Sequence, residues 1–79
     1  MEYSTMSIAQ IASVIKKDWT KMNYGAVPYY EAMTCLNNVT DKYGADSGRS
    51  IVAYFLSNAA TWKGETAKAI KKELNKRIK

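Results

Sequence analysis

Histidine is absent from the 79 residues, and there is one cysteine and one proline. Without histidine, the side chain that titrates near neutral pH is missing, and with it the commonest general base. Lone Cys35 cannot close a disulfide within the chain. Without histidine it also cannot complete the usual zinc or haem ligand sets, so neither metal nor cofactor is expected. No apolar run approaches the ~18 residues of a membrane helix. The opening string MEYSTMSIAQ does not read as a signal peptide. These two absences argue against a membrane partner and for a cytoplasmic location.

What the chain does have is enough apolar content to fold. Hydrophobic residues make up 47% and charged residues 24%, a balance unlike that of disordered segments. Its length predicts one helical domain over residues 1–79. Charge is unevenly placed. Residues 1–62 hold five basic and five acidic residues, whereas residues 63–79 hold seven basic and two acidic ones. The whole net charge of +5 therefore belongs to the final segment.

Apolar residues recur at helical spacing almost throughout. Ile8, Ile11, Ile15, Trp19 and Met22 predict a first helix over about 7–23. Ser7 and Gln10 have capping-box spacing, and Gly25 suits a left-handed helix end. Pro28 fits the first turn of a second helix over about 28–39, with Tyr29, Ala32, Met33 and Leu36 as its apolar stripe. The segment 37–44 reads as a fraying end and a loop. Asp46 is the expected N-cap of a third helix over about 47–61. There Ile51, Val52, Phe55, Leu56, Ala59 and Trp62 cover an arc of about 140°, which predicts the most buried element. Gly64 precedes a basic terminal helix over about 65–78, with Glu65 at its positive end. Ala67, Ile70, Leu74 and Ile78 lie within about 80° of one another, and Lys68, Lys71, Lys72, Lys76 and Lys79 lie opposite. No stretch alternates long enough to predict a strand. The expected fold is all-α, a single compact bundle of four short helices. A domain of this size is marginal, and a homodimer would add buried surface without being required.

Catalytic signals are sparse. Asp41 and Asp46 flank Gly44 and read as loop solvation and a cap. Residues 37–48 lack the ligand spacing of a calcium loop. Gly44 to Arg49 lacks the ending of a phosphate loop. Cys35 reads as a semi-buried structural thiol. Asn38-Val39-Thr40 matches a glycosylation acceptor, which has meaning only in a secreted chain. Ser7 to Ala12 has the flavour of a helix-turn-helix, but the helical pattern runs on where the turn should fall.

Two surface features remain. Lys68, Lys72 and Lys76 form a basic surface suited to phosphates or to an acidic protein, or serving only as a solvated face. Eight of the nine aromatics are Tyr or Trp, residues that dominate interface anchors. Tyr24, Tyr29 and Tyr30 cluster between the first two helices. With Tyr29 on the stripe, Tyr30 points about 100° away, towards solvent. Tyr24 and Tyr30 are thus the candidate anchors. Tyr29, Tyr54, Trp19 and Trp62 are expected to finish the core with their polar tips towards water.

The runs SIAQIASVIKKDW, YGAVPYYEAM, DKYGADSGRSIVAYFLSNA and TWKGETAKAIKKEL together resemble short uncharacterised open reading frames of tailed bacteriophages. That resemblance covers nearly the entire chain. It implies a phage-encoded accessory protein in the bacterial host cytoplasm, of a kind that often binds host or anti-phage defence proteins. The expectation is a non-enzymatic protein that docks on such a partner and modulates or inhibits it. The alternatives are a nucleic-acid binder using the lysine face and a structural or assembly protein of the virion.

Overall fold

Ser7 opens the first helix as its spacing to Gln10 predicts. A computed structural model describes residues 2–79. In it Ser7 Oγ accepts the Gln10 amide at 3.1 Å, and Gln10 Oε1 accepts the Ser7 amide at 2.8 Å. This reciprocal cap starts α1, Ile8–Asp18. The next amides of its first turn would lack partners within the helix. Ile8 N–H donates instead to the Asn37 carbonyl at 3.0 Å, and Ala9 N–H to that of Leu36 at 2.8 Å.

α1 stops at Asp18 rather than near residue 23. Trp19 leaves helical geometry at φ −103° and ψ 75°, and its ring lies parallel to that of Trp62, with centroids 5.7 Å apart. Phe55 meets both indoles edge-on, at 6.2 and 6.4 Å. Trp62 Nε1 donates to Asp18 Oδ2 at 2.8 Å. Gly25 does not have the positive φ expected of a left-handed helix end. A Cβ there would lie 2.7 Å from Asn58 Oδ1, so a larger residue would require that side chain to shift.

α2 spans Val27–Met33, with Pro28 in its first turn. It ends well before residue 39. Cys35 and Leu36 close tighter turns onto Ala32 and Met33. The carbonyls of Leu36 and Asn37 then serve α1, so they cannot continue a helix of their own. Asp41 Oδ2 accepts the amides of Asn37 and Asn38 at 2.9 and 3.0 Å. These bonds, that of Asn38 first, hold the Asp41 carboxyl below the ordinary aspartate range.

The all-α expectation needs one addition. β1, Lys42–Tyr43, pairs antiparallel with β2, Asp46–Ser47. Gly44 has φ 63° and Ala45 does not enter positive φ, the pattern of a two-residue II′ turn with glycine first. Ser47, not Asp46, caps α3, Gly48–Ser57; its Oγ accepts the Ser50 amide at 3.1 Å. α4 spans Glu65–Ile78, after Gly64 at φ 116°. Among the described residues, the chain is four α-helices, a 3-10 turn at Tyr3–Thr5 and this hairpin. The helices form a ring in which each packs on its sequence neighbours, and α1 meets α4 to close it.

The core is apolar throughout. Ile8, Ile11 and Ile15 of α1 share one buried cluster with Ile51, Val52 and Phe55 of α3, Ile70 and Leu74 of α4 and Met33 of α2. Leu56 and Ile78 are half-buried at its margin. Cys35, expected to be semi-buried, is exposed because the short α2 releases the chain before it.

Gly48 sets the position of the hairpin. Its N–H donates to the Asp41 carbonyl at 2.6 Å, and a Cβ there would meet the Asn38 and Val39 carbonyls at 2.9 Å. Gly48→Ala is therefore expected to destabilise the chain by about 1–3 kcal/mol through overpacking against backbone, read as a lower urea midpoint. An unchanged midpoint would contradict this close approach. The lowered Asp41 midpoint also has a signed consequence. Its bonds stabilise the fold fully above the ordinary aspartate midpoint of about 3.9, and are lost as pH falls through the lower folded value. In an acid NMR titration, the Asn37 and Asn38 amides should hold their shifts below pH ~3.9 and then move together.

Candidate functional site

Tyrosine carries an apolar ring and a polar tip, so it tolerates a wet surface. Here the Trp19, Phe55 and Trp62 cluster already fills the interior that large rings would occupy. Three of the six tyrosines are left largely exposed. Tyr24, in the turn before α2, is 92% exposed. Tyr54 on α3 is 54% exposed and Tyr43 on β1 is 46% exposed. The expectation that Tyr54 finishes the core is therefore corrected. Its ring instead packs on that of half-buried Tyr29, with centroids 5.5 Å apart and planes tilted by 31°.

These side chains line a groove of about 570 Å³ between α2, α3 and the hairpin. Tyr29, Tyr54 and Tyr43 bound it with Pro28 and Asp46, above the buried side chains of Ala32 and Ile51. The hairpin register sets Tyr43 directly opposite Asp46, and Lys42 opposite Ser47. Directly paired residues share a face of the ladder, and their neighbours take the other face. Tyr43 and Asp46 thus reach the groove together while Lys42 does not line it. Pro28 also borders a second depression, lined by Tyr24, Val27 and Glu31. The two depressions form one tyrosine-rich face.

The sequence-predicted anchors part company. Tyr24 belongs to this face. Tyr30 lines neither depression. It is half-buried against the core cluster, with Lys16 Nζ 5.9 Å above its ring. Its orientation follows from α2 packing on α1, which the single-helix wheel did not include.

Lys68, Lys72 and Lys76 are exposed along α4, but none lines the tyrosine face. Lys71 departs from the predicted lysine face. It is half-buried, with Nζ donating to the Trp62 carbonyl at 2.6 Å and lying 5.9 Å from the indole centroid. Lys72 and Lys76 lie beside Glu2 and Tyr3. Glu2 is held below the ordinary glutamate range mainly by hydrogen bonds from Ser4, with a smaller contribution from Lys76.

A larger depression, about 690 Å³, lies between the N-terminal turn and residues 37–40. The side chains of Ser4, Thr5, Ser7, Gln10 and Arg77 there are already engaged. The first α1 amides are satisfied by Asn37 and Leu36 carbonyls. Arg77 donates from Nε to Glu73 at 2.7 Å and from Nη2 to the Tyr3 carbonyl at 2.8 Å.

Tyr43, Tyr54 and Asp46 are the groove residues that sequence reasoning missed. Sequence signals for them existed. Gly44-Ala45 is a two-residue hairpin turn of the glycine-first kind. Tyr54 lies about 60° outside the apolar arc of α3. No helix of the described residues is long and apolar enough to cross a membrane. No family model, curated protein or solved structure matches the chain.

The two anchors should separate by stability. Tyr24→Ala is expected to shift folding free energy by no more than about 0.5 kcal/mol. Tyr30→Ala is expected to cost more than about 1 kcal/mol, because it removes a ring packed on the core. Urea unfolding of the two variants reads the difference directly, and equal losses would contradict the placement.

Proposed function

We propose that the chain is a small non-enzymatic protein that docks on a protein partner through its tyrosine-rich face. The observation that supports this reading is the outward placement of Tyr43 and Tyr54 at the groove and of Tyr24 at the adjoining depression. The core is closed by other rings, so these side chains are not required for packing. Rigid aromatic anchors lose little conformational freedom on binding and dominate interface energetics. Tyr24 keeps its role as an anchor, Tyr54 and Tyr43 join it, and Tyr30 supports the fold beneath. The resemblance to phage reading frames gives this docking a context. The partner is a host or anti-phage defence protein of the bacterial cytoplasm, and occupation of its surface inhibits it.

A second reading rests on a different observation. Lys68, Lys72 and Lys76 are exposed at spacings of four residues along one side of α4, and the one ion pair among the described residues joins Glu73 to Arg77 instead. This row suits phosphates. As a nucleic-acid contact it would weaken steeply with salt.

Affinity capture from bacterial cells with the tagged chain, with and without nuclease, distinguishes the two. The docking reading expects a stoichiometric protein that survives nuclease and is lost with Tyr24→Ala combined with Tyr54→Ala. Recovery only of nuclease-sensitive material, or retention by the double variant, would overturn it. Charge reversal at Lys68, Lys72 and Lys76 should leave capture through the tyrosine face intact.

A further inference from the structure

The groove is not only aromatic; it is also acidic on a chain whose net charge is positive. Asp46 lines it, and exposed Glu31 lines the adjoining depression beside Tyr24. No lysine or arginine lines either depression. Among the described residues the one ion pair is Glu73–Arg77, so neither Asp46 nor Glu31 has a counter-charge within 4.0 Å. The expected role of Asp46 as a helix cap is filled by Ser47. Its carboxylate is therefore available, held opposite Tyr43 by the hairpin register.

Tyrosine faces attract cations through the ring quadrupole, and more strongly where water is excluded. A carboxylate beside such rings adds a directional acceptor. Together they favour a flat cation that stacks on a ring and donates two parallel hydrogen bonds, which is the chemistry of the guanidinium group. The same carboxylates repel phosphates, so this face disfavours a nucleic-acid strand.

Building on the docking reading, we propose that the groove receives an arginine side chain from an extended segment of the protein partner. The guanidinium lies between Tyr43 and the Tyr29–Tyr54 pair and bonds to Asp46. Glu31 and Tyr24 extend the same preference to a second cationic residue further along that segment. The basic excess on α4 lies outside this face and does not compete for the site.

The test uses the full chain, isotopically labelled for NMR, and three blocked hexapeptides of identical sequence except for one central residue. That residue is arginine, neutral citrulline or glutamate. The arginine peptide should shift the amides of Tyr29, Tyr43, Asp46 and Tyr54, and citrulline should bind at least about fivefold more weakly. Asp46→Asn should weaken the arginine peptide by a similar factor and remove the preference over citrulline. That variant leaves the helix cap untouched, so its spectrum should otherwise match the parent. Equal binding of arginine and citrulline peptides, preference for glutamate, or shifts confined to α4 would overturn the assignment. If Tyr54→Ala loses the captured partner while arginine and citrulline bind alike, docking stands and the cation assignment falls. If the combined tyrosine variant keeps its partner, docking falls, and the cation assignment that rests on it falls too.

Discussion

Trp19 lies flat on Trp62, and the rest of the chain is arranged around that stack. One indole ends α1 and the other precedes α4, so their contact joins the two ends of the helical ring. Phe55 fixes α3 to both by its edge. The polar groups of Trp62 are satisfied locally. Asp18 accepts the Trp62 Nε1–H, and Lys71 donates to the Trp62 carbonyl. A small domain has little core to spare. Here three large rings occupy its centre, and the tyrosines remain outside it.

That division of labour shapes the surface. With α1 cut short at Asp18, the chain from Thr20 to Ala26 turns over the end of the bundle and carries Tyr24 outward. With α2 cut short at Met33, the Leu36 and Asn37 carbonyls close the start of α1. Asp41 then ties residues 37 and 38, and Gly48 brings the same loop against the start of α3. The hairpin is what remains between these two attachments. It is too short to stand alone, and its position depends on the backbone bonds from Gly48 and Arg49 to Asp41 and Val39. Through these bonds the loop between α2 and α3, tied at Asp41, Gly48 and Arg49, decides where Tyr43 and Asp46 stand.

Much of this was legible in the sequence where one element decides the outcome. The Ser7–Gln10 cap, the buried faces of α1 and α3 and the Gly64 start of α4 follow from local spacing and chemistry, and all are present. What was not legible depended on a second element. α1 and α2 carry apolar spacing beyond their true ends, because Trp19 and Leu36 are buried after the helix has stopped. A buried residue just past a helix end has the same period as one inside it. Tyr30 turned inward because α1 offered it packing, and Lys71 turned inward because Trp62 offered it a carbonyl. Asp46 lost the cap to its neighbour Ser47 once the hairpin register was set. The groove lies between three elements, so no single wheel or strand pattern contains it.

The tyrosine-rich face, rather than the basic side of α4, is the proposed docking surface. Side-chain oxidation footprinting of the chain, free and bound to its captured partner, tests this residue by residue. Tyr24, Tyr43 and Tyr54 should react readily when free and be protected together on binding, while Tyr30 should change little. Protection confined to the α4 side chains, with the three tyrosines as reactive as before, would contradict it.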